Sequence, residues 1–276
     1  MFRLYCIKNL FIFVKIIEKI KYYYKEIGLI NIIIKILFYP LVIGRNKFLE
    51  KKIFKKKNNK DVFTEIFNTN YWNDNESKSG TGSSLKSTEN IRLKLPLIIK
   101  KLNIKSIIDI PCGDFFWFSK IINILDIEYY GGDIVEKIIQ SNQKFATKKI
   151  QFKQLDLIND ELPYGDLLLC RDCLFHFSFD NIKKEFEKLK KSKFKYILIT
   201  NHDFEKKNMK NQEIKTGSFR YLDLHFPPFN FNKNYNQEIL DPDYPKTHVN
   251  KKMLIYSKEN FILNVENFLD SKKSNI

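Results

Sequence analysis

The run Ser106-Ile107-Ile108-Asp109-Ile110-Pro111-Cys112-Gly113-Asp114 reads as a buried strand that ends on an acidic residue and turns on a single glycine. It leads into Phe115 to Ile122, which reads as a helix. Strand, glycine turn and helix together are how α/β folds build nucleotide sites. Helix-start amides and a residue without a side chain let a ligand approach the backbone. Twenty-four residues past Asp109, a second strand-like run from Ile127 to Gly132 ends at Asp133. An acid at the end of the second strand is placed to accept hydrogen bonds from ribose hydroxyls.

The turn departs from the dinucleotide fingerprint. A pyrophosphate site wants G-x-G-x-x-G, so that the backbone can touch the phosphates. The matching positions here hold Pro111, Gly113 and Phe116, and one glycine survives. This disfavours a nicotinamide or flavin dinucleotide and hydride transfer. A nucleoside cofactor without phosphates asks less of the turn.

From about Tyr71 to Thr200 the chain resembles the class I (Rossmann-like) S-adenosylmethionine-dependent methyltransferases. It is most similar to a branch that carries Asp-x-Pro-Cys-Gly-Asp where the family usually has Asp-x-Gly-x-Gly-x-Gly. The matching segments are Ser79-Gly80-Thr81-Gly82-Ser83, Asp109 to Asp114, Tyr130-Gly131-Gly132-Asp133, Gln154-Leu155-Asp156-Leu157, and Asp166 to Phe177. Each is short, and the five in order are the signal. The resemblance implies an α/β fold: a mostly parallel, seven-stranded sheet with helices on both faces. It implies S-adenosyl-L-methionine as cofactor. Its contacts fall on Asp109, Pro111, Gly113 and Asp114 of the first turn. Asp133 and Ile134 follow the second strand, Asp156 and Leu157 the third, and Arg171 the fourth. Gly113 would lie under the methionine part, Asp133 would hold the ribose, and Asp156 with Leu157 would read the adenine edge.

Composition bounds the remainder. A chain of 276 residues, 43% hydrophobic and 15% aromatic, accommodates one large α/β domain and an appendage. Four cysteines give no disulfide framework, and a reducing, cytoplasmic setting is expected. The net charge is +16, and residues 1–60 hold fifteen Lys or Arg against three Glu. We therefore divide the chain into a basic, apolar helical extension, 1–60, and a methyltransferase-like domain, 61–276. In the extension Leu10, Phe13, Val14, Ile17 and Ile20 recur at helical spacing with lysines on other faces. Its apolar stretches are too broken to span a bilayer, which takes about 20 mostly apolar residues. Two readings stay open: an interfacial helix pair on an anionic membrane, or a helical lid.

Asn70 to Asn90, rich in Asn, Ser, Gly and Thr, reads as a flexible loop whose Gly80 and Gly82 let the backbone close over a ligand. Ser87 or Thr88 would cap a helix over Glu89–Leu102, bent by Pro96. Strands are expected at Ser106–Ile110, Tyr129–Gly132, Gln151–Asp156, Asp166–Arg171 and Tyr196–Asn201, with a last one at Lys252–Tyr256. A helix is expected over Asp180–Lys191. Near-continuous apolar runs such as Leu167-Leu168-Leu169 imply strands buried on both faces. No sign marks a final helix.

The segment Leu169 to His176 is the candidate for substrate chemistry. A charged Arg171-Asp172 pair directly after an apolar strand is costly unless paired or functional. If a helical turn follows, Asp172 and His176 share a face and form an acid–base couple, with His202 next in line. Trp72 and Arg220 are candidate acceptor contacts, and the aromatic stretch Phe219 to Phe231 would shape the pocket. Cys170, Cys173 and His176 show metal-like spacing but lack a fourth ligand, and no metal is expected. The expected reaction is methyl transfer to a hydroxyl of a small molecule or glycan. An RNA methyltransferase, supported by the positive charge, and a non-catalytic adaptor are the alternatives.

Overall fold

A computed structural model describes residues 44–72, 74–205, 209–244, 247 and 249–273. The reading of an interfacial helix pair in the first 43 residues lies outside the described residues. Residues 52–276 form one compact unit. Its seven strands are β1 Ser106–Asp109, β2 Glu128–Asp133, β3 Ile150–Gln154, β4 Gly165–Cys170, β5 Phe194–Asp203, β6 Gln237–Leu240 and β7 Asn250–Ser257. Its helices are α1 Asn59–Thr69, α2 Glu89–Lys101, α3 Glu136–Asn142, α4 Phe179–Lys191 and α5 Lys258–Lys273.

The strands form a single sheet in the order β3-β2-β1-β4-β5-β7-β6. β1 to β5 pair in parallel, and β7 runs antiparallel to both β5 and β6. The expected fold, a mostly parallel seven-stranded sheet between helices, is the observed one. Period-two alternation divides the core. Ile107, Leu167, Leu169 and Leu198 face α2 and the Phe115–Phe118 aromatics. Ile108, Leu168, Cys170, Ile197 and Ile199 face α4, α5 and the Phe229–Phe231 segment. Every residue of β1 and β4 is buried, which is why the centres of both strands are Ile107-Ile108 and Leu167-Leu168-Leu169.

Helix α4 starts on Ser178, whose side chain accepts the Asn181 amide, and buries Ile182, Glu185, Phe186 and Leu189 on one stripe. Helix α2 runs through Pro96, and neither Ser87 nor Thr88 caps it with a side-chain bond to its first turn. Thr88 Oγ1 donates to the Ser84 carbonyl, and Ser87 Oγ accepts from the Tyr244 amide.

Three expectations are corrected. Phe115 to Ile122 is not an α-helix but a pair of 3₁₀ turns, Phe118–Lys120 and Ile122–Ile124. Phe115 adopts φ 57°, so its ring drops into the core against Tyr129, Phe145 and Phe152, and no helix can start there. The loop expected over residues 70–90 is tied down: Ser77, Ser87 and Thr88 are buried, and Thr81–Ser83 make a 3₁₀ turn. A final helix exists, α5. Its buried Phe261, Val265 and Phe268 follow the i, i+4, i+7 stripe that the sequence carries among its asparagines and lysines. Edge strand β6, only four residues long and half polar, carries no legible signal.

Candidate functional site

Strand order reverses between β1 and β4, so a crevice opens at their carboxyl ends. A cavity of about 1010 Å³, its mouth included, lies there. Asp109, Pro111 and Gly113 enter it from the β1 turn, and Asp133 and Ile134 from the end of β2. Asp156 and Leu157 enter after β3, and Arg171, Asp172 and His176 after β4. Trp72 also lines it. Asp114, His202 and Arg220 do not line it. Phe63 and Phe67, one turn apart on α1, cover it, which the sequence reading did not foresee.

Gly113 has φ +56°, and a Cβ there would collide with Ser79 Oγ, so glycine is required. Its amide donates to Asp133 Oδ2 at 3.1 Å, and the Val135 amide donates to Oδ1 at 2.9 Å. The carboxylate retains acceptor capacity for a further donor. Burial pushes the Asp133 carboxyl up to about 6, against the backbone amides of Val135, Gly113 and Ile134 that pull it down. Asp109 is more strongly affected: burial raises it to about 7, although the Tyr129 hydroxyl donates to it at 2.6 Å. Asp114 turns outward from the cavity. Its carboxylate accepts from Ser77 Oγ at 3.0 Å, the Lys78 amide at 2.8 Å and Ser79 Oγ at 3.3 Å, so it fastens the 77–79 segment instead of meeting a ligand. Asp156 spends its carboxylate on its own turn, accepting from the Ile158 amide at 2.9 Å and Asn159 Nδ2 at 2.7 Å.

At the end of β4 the charges are paired. Arg171 Nε donates to Asp241 at 2.9 Å, its Nη1 lies 3.0 Å from Asp172, and Nη2 donates to the Gly82 carbonyl at 2.8 Å. Lys251, fully buried, reaches Asp243 at 2.6 Å and Asp172 at 3.1 Å. Asp172 itself has φ 52°, an unusual backbone state that the surrounding pairs hold in place. A Cβ on Gly82 would lie 2.6 Å from Asp172 Oδ2, so the 81–83 turn depends on that glycine. Burial alone would raise the Asp172 carboxyl, but Arg171 and Lys251 outweigh it and hold it at about 2. A carboxylate of that basicity is a poor proton acceptor near neutrality. Asp172 is engaged as the ion partner of Arg171 and Lys251.

The shared helical face of Asp172 and His176 is also absent, because Leu174–His176 is a 3₁₀ turn entered after the left-handed Asp172. His176 reaches the cavity independently. Its Nδ1 sits 2.8 Å from the Ser218 carbonyl, so Nδ1 carries the proton and Nε2 is the basic nitrogen. Its ring stacks on Trp72 at 5.0 Å. Burial lowers its pKa to about 4, leaving it neutral at ordinary pH. His202 lies behind the site: Nδ1 accepts from the Leu222 amide at 3.2 Å, and buried Nε2 has no protein partner. Arg220 is buried 4.8 Å over the Phe179 ring, with Nε and Nη1 unpartnered. The Cys170 thiol lies 3.7 Å from buried Glu185, and Cys173 is buried beside the cavity. Lys251, Asp241 and Asp243 escaped the sequence reading, since no motif links residues roughly 70–80 positions from the β4 end.

No family model matches this chain, and no curated protein matches it. Among solved structures, it is similar to the methyltransferase domain of a bacterial Hen1 protein (CtHen1). That match has 11% identity over 62% of this chain and 98% of the other, at a TM-score of 0.46. It is similar to magnesium protoporphyrin IX methyltransferase from Synechocystis with bound S-adenosylhomocysteine. Here identity is 12% over 72% of this chain and 99% of the other, at a TM-score of 0.49. A third is human N-acetylserotonin methyltransferase in complex with S-adenosylmethionine. It has 11% identity over 79% of this chain and 57% of that chain, at a TM-score of 0.43. Likenesses of this size say nothing about the chemistry of this chain.

Proposed function

We infer that residues 61–276 form an S-adenosyl-L-methionine-dependent methyltransferase domain acting on a hydroxyl of a small molecule or glycan. One observation carries the reading. Asp133, buried at the end of β2, is fixed by the Gly113 and Val135 amides and lines a cavity whose first turn offers no phosphate cradle. A ribose diol fits such a carboxylate, and the proline at 111 withholds the amide a pyrophosphate would use. The mostly apolar wall from Ile134 to Leu157 suits a base.

The cofactor supplies a methyl group already activated on a sulfonium. The protein's part is to align, to exclude water and to move one proton. Phe63, Phe67 and Trp72 cover the cavity from above, and the 77–83 segment shuts one side. His176 is the proton acceptor for a hydroxyl, through Nε2, with its ring fixed by Ser218 and Trp72. Asp172 stays ionised and positions the β4 end through Lys251 and Arg171.

Calorimetry with S-adenosylhomocysteine tests the cofactor. Micromolar binding to the full chain that weakens at least tenfold in Asp133→Ala supports the reading, and unchanged affinity in that variant overturns it. Mass spectrometry for a singly methylated product then identifies acceptors. The extension over residues 1–60 remains a proposed basic contact for an anionic membrane surface on the cytoplasmic side. Flotation on anionic vesicles, equal with and without those residues, would defeat it. Among the described residues, no helix is long and apolar enough to cross a membrane.

A further inference from the structure

Beside the cavity, residues 217–222 are stitched flat onto the ends of β4 and β5. The Gly217 amide donates to the His176 carbonyl at 2.7 Å, the Arg220 amide to Phe175 at 3.2 Å, and the His202 amide to Leu222 at 2.8 Å. The side chains alternate: Arg220 and Leu222 are buried inward, while Phe219 and Tyr221 turn outward. Phe219 is 52% exposed. The two outward rings lie 5.3 Å apart, and the buried His202 ring supports both, at 6.3 Å from Phe219 and 5.3 Å from Tyr221. The strip meets the cavity through His176, 6.1 Å from Phe219. Its other border is polar. Lys251, paired with His202 in the sheet, is held by Asp243 Oδ1 and by Asp172 on the cavity wall.

We propose that Phe219 and Tyr221 form the seat of the methyl acceptor, and that the acceptor is a neutral polyhydroxylated ring of the sugar class. This rests on the methyltransferase reading and narrows its acceptor. The two rings meet at 82°, so one can offer its face to the C–H face of a saturated ring while the other borders it. Asp172 and Asp243 accept hydrogen bonds only, so they ask for hydroxyl donors. A cationic amine is the poorer match, because Lys251 and Arg171 already neutralise those carboxylates and Lys251 would repel a second cation at short range. A flat aromatic acceptor is poorer too, since it offers fewer hydroxyl donors than a sugar ring to the two carboxylates. His176 lines the cavity and lies 6.1 Å from Phe219, and with Nδ1 taken up by Ser218 its Nε2 is the nitrogen to receive a ring hydroxyl's proton.

Saturation-transfer NMR on the full chain tests this. The panel is free hexoses, 6-deoxyhexoses and methyl pentosides, with benzylamine and catechol as cationic and flat comparators. We expect contact to at least one saccharide, strongest for protons of one ring face. That contact is expected to be lost in Phe219→Ala, kept in Phe219→Trp, and weakened at least tenfold in Asp243→Asn. S-adenosylhomocysteine affinity, measured in the same samples, should stay within twofold in all three variants. Contact to no saccharide, contact indifferent to Phe219→Ala, or Phe219-dependent binding of benzylamine or catechol alone overturns the proposal. Loss of S-adenosylhomocysteine binding in the unsubstituted protein would instead strike the cofactor reading, and the saccharide result would still decide the seat.

Discussion

Asp133 receives backbone amides and is nevertheless pushed up to about 6, because burial costs its charge more than the amides return. Ribose hydroxyls would donate to its ionised form, so ligand binding competes with a proton. Affinity for S-adenosylhomocysteine should fall about tenfold per pH unit below pH 6, and titration calorimetry from pH 5 to 8 reads this directly. In Asp133→Ala the affinity should be low and flat over that range. His176 and Asp172 separate in another way. His176→Asn should lower kcat about 10²–10⁴-fold with the fold intact. With the unsubstituted protein the acid limb of kcat should fall near pH 4, the value for His176, and a limb near 2 would restore Asp172 as base. Asp172→Asn leaves Lys251 and Arg171 partly unpaired in the interior, and should cost roughly 3–5 kcal/mol of stability as well as activity. Asp109, Gly113 and Asp133 were legible in the sequence because a strand, its turn and the next strand are local grammar. The ion partners of Asp172 were not, since only the folded sheet brings β7 against β5 and sets Lys251 opposite His202.

The segment 77–83 reaches its place through two distant anchors, Asp114 and Arg171, which hold it across one side of the cavity. Hydrogen bonds to a charged acceptor contribute about 1.5–3 kcal/mol each, so most of the closure depends on one carboxylate. Asp114→Ala should speed amide exchange at Lys78 and Ser79 by more than tenfold. It should also raise the dissociation rate of S-adenosylhomocysteine, with β1 and β2 exchange unchanged. Exchange at those amides equal to the unsubstituted protein would show that Arg171 and Gly82 alone hold the segment. Composition pointed to a flexible loop here, because glycine and serine say how freely a chain can turn and not what will tie it down. The same limit explains the misreading of Phe115 to Ile122. Its aromatic run has a helical look, but Phe115 must reach the core between Tyr129 and Phe152, and tertiary packing overrode local pattern. Helix α4 was legible to within one residue because its cap, its buried stripe and its lysine-rich end agree.

At the scale of the whole molecule, apolar strand runs announced a parallel sheet, and the sheet formed. Its antiparallel edge of β7 and β6 depended on pairing between distant segments, which no local signal carries. The sheet also encloses groups that pattern reading treats as polar surface. Glu185 sits on the buried stripe of α4 against the Cys170 thiol, and burial raises its carboxyl to about 8. A carboxyl raised on folding contributes stability that is complete below the unfolded pKa, near 4.5, and is lost as pH climbs through 8. The loss by pH 9 is at most ~5 kcal/mol, taking 1.36 kcal/mol per pKa unit. Asp109 and Asp133, raised to about 7 and about 6, act in the same direction at lower pH. His176 and His202, both lowered to about 4, act oppositely, and cost stability as pH falls below the ordinary histidine value of 6.5. The unfolding midpoint should therefore be higher at pH 6.5 than at pH 9. Glu185→Gln, which keeps the shape and cannot ionise, should remove most of that difference and be the more stable protein at pH 9. A midpoint that rises between pH 6.5 and 9, or a Gln variant with an undiminished slope, would mean that Glu185 reaches solvent or a cation when it ionises.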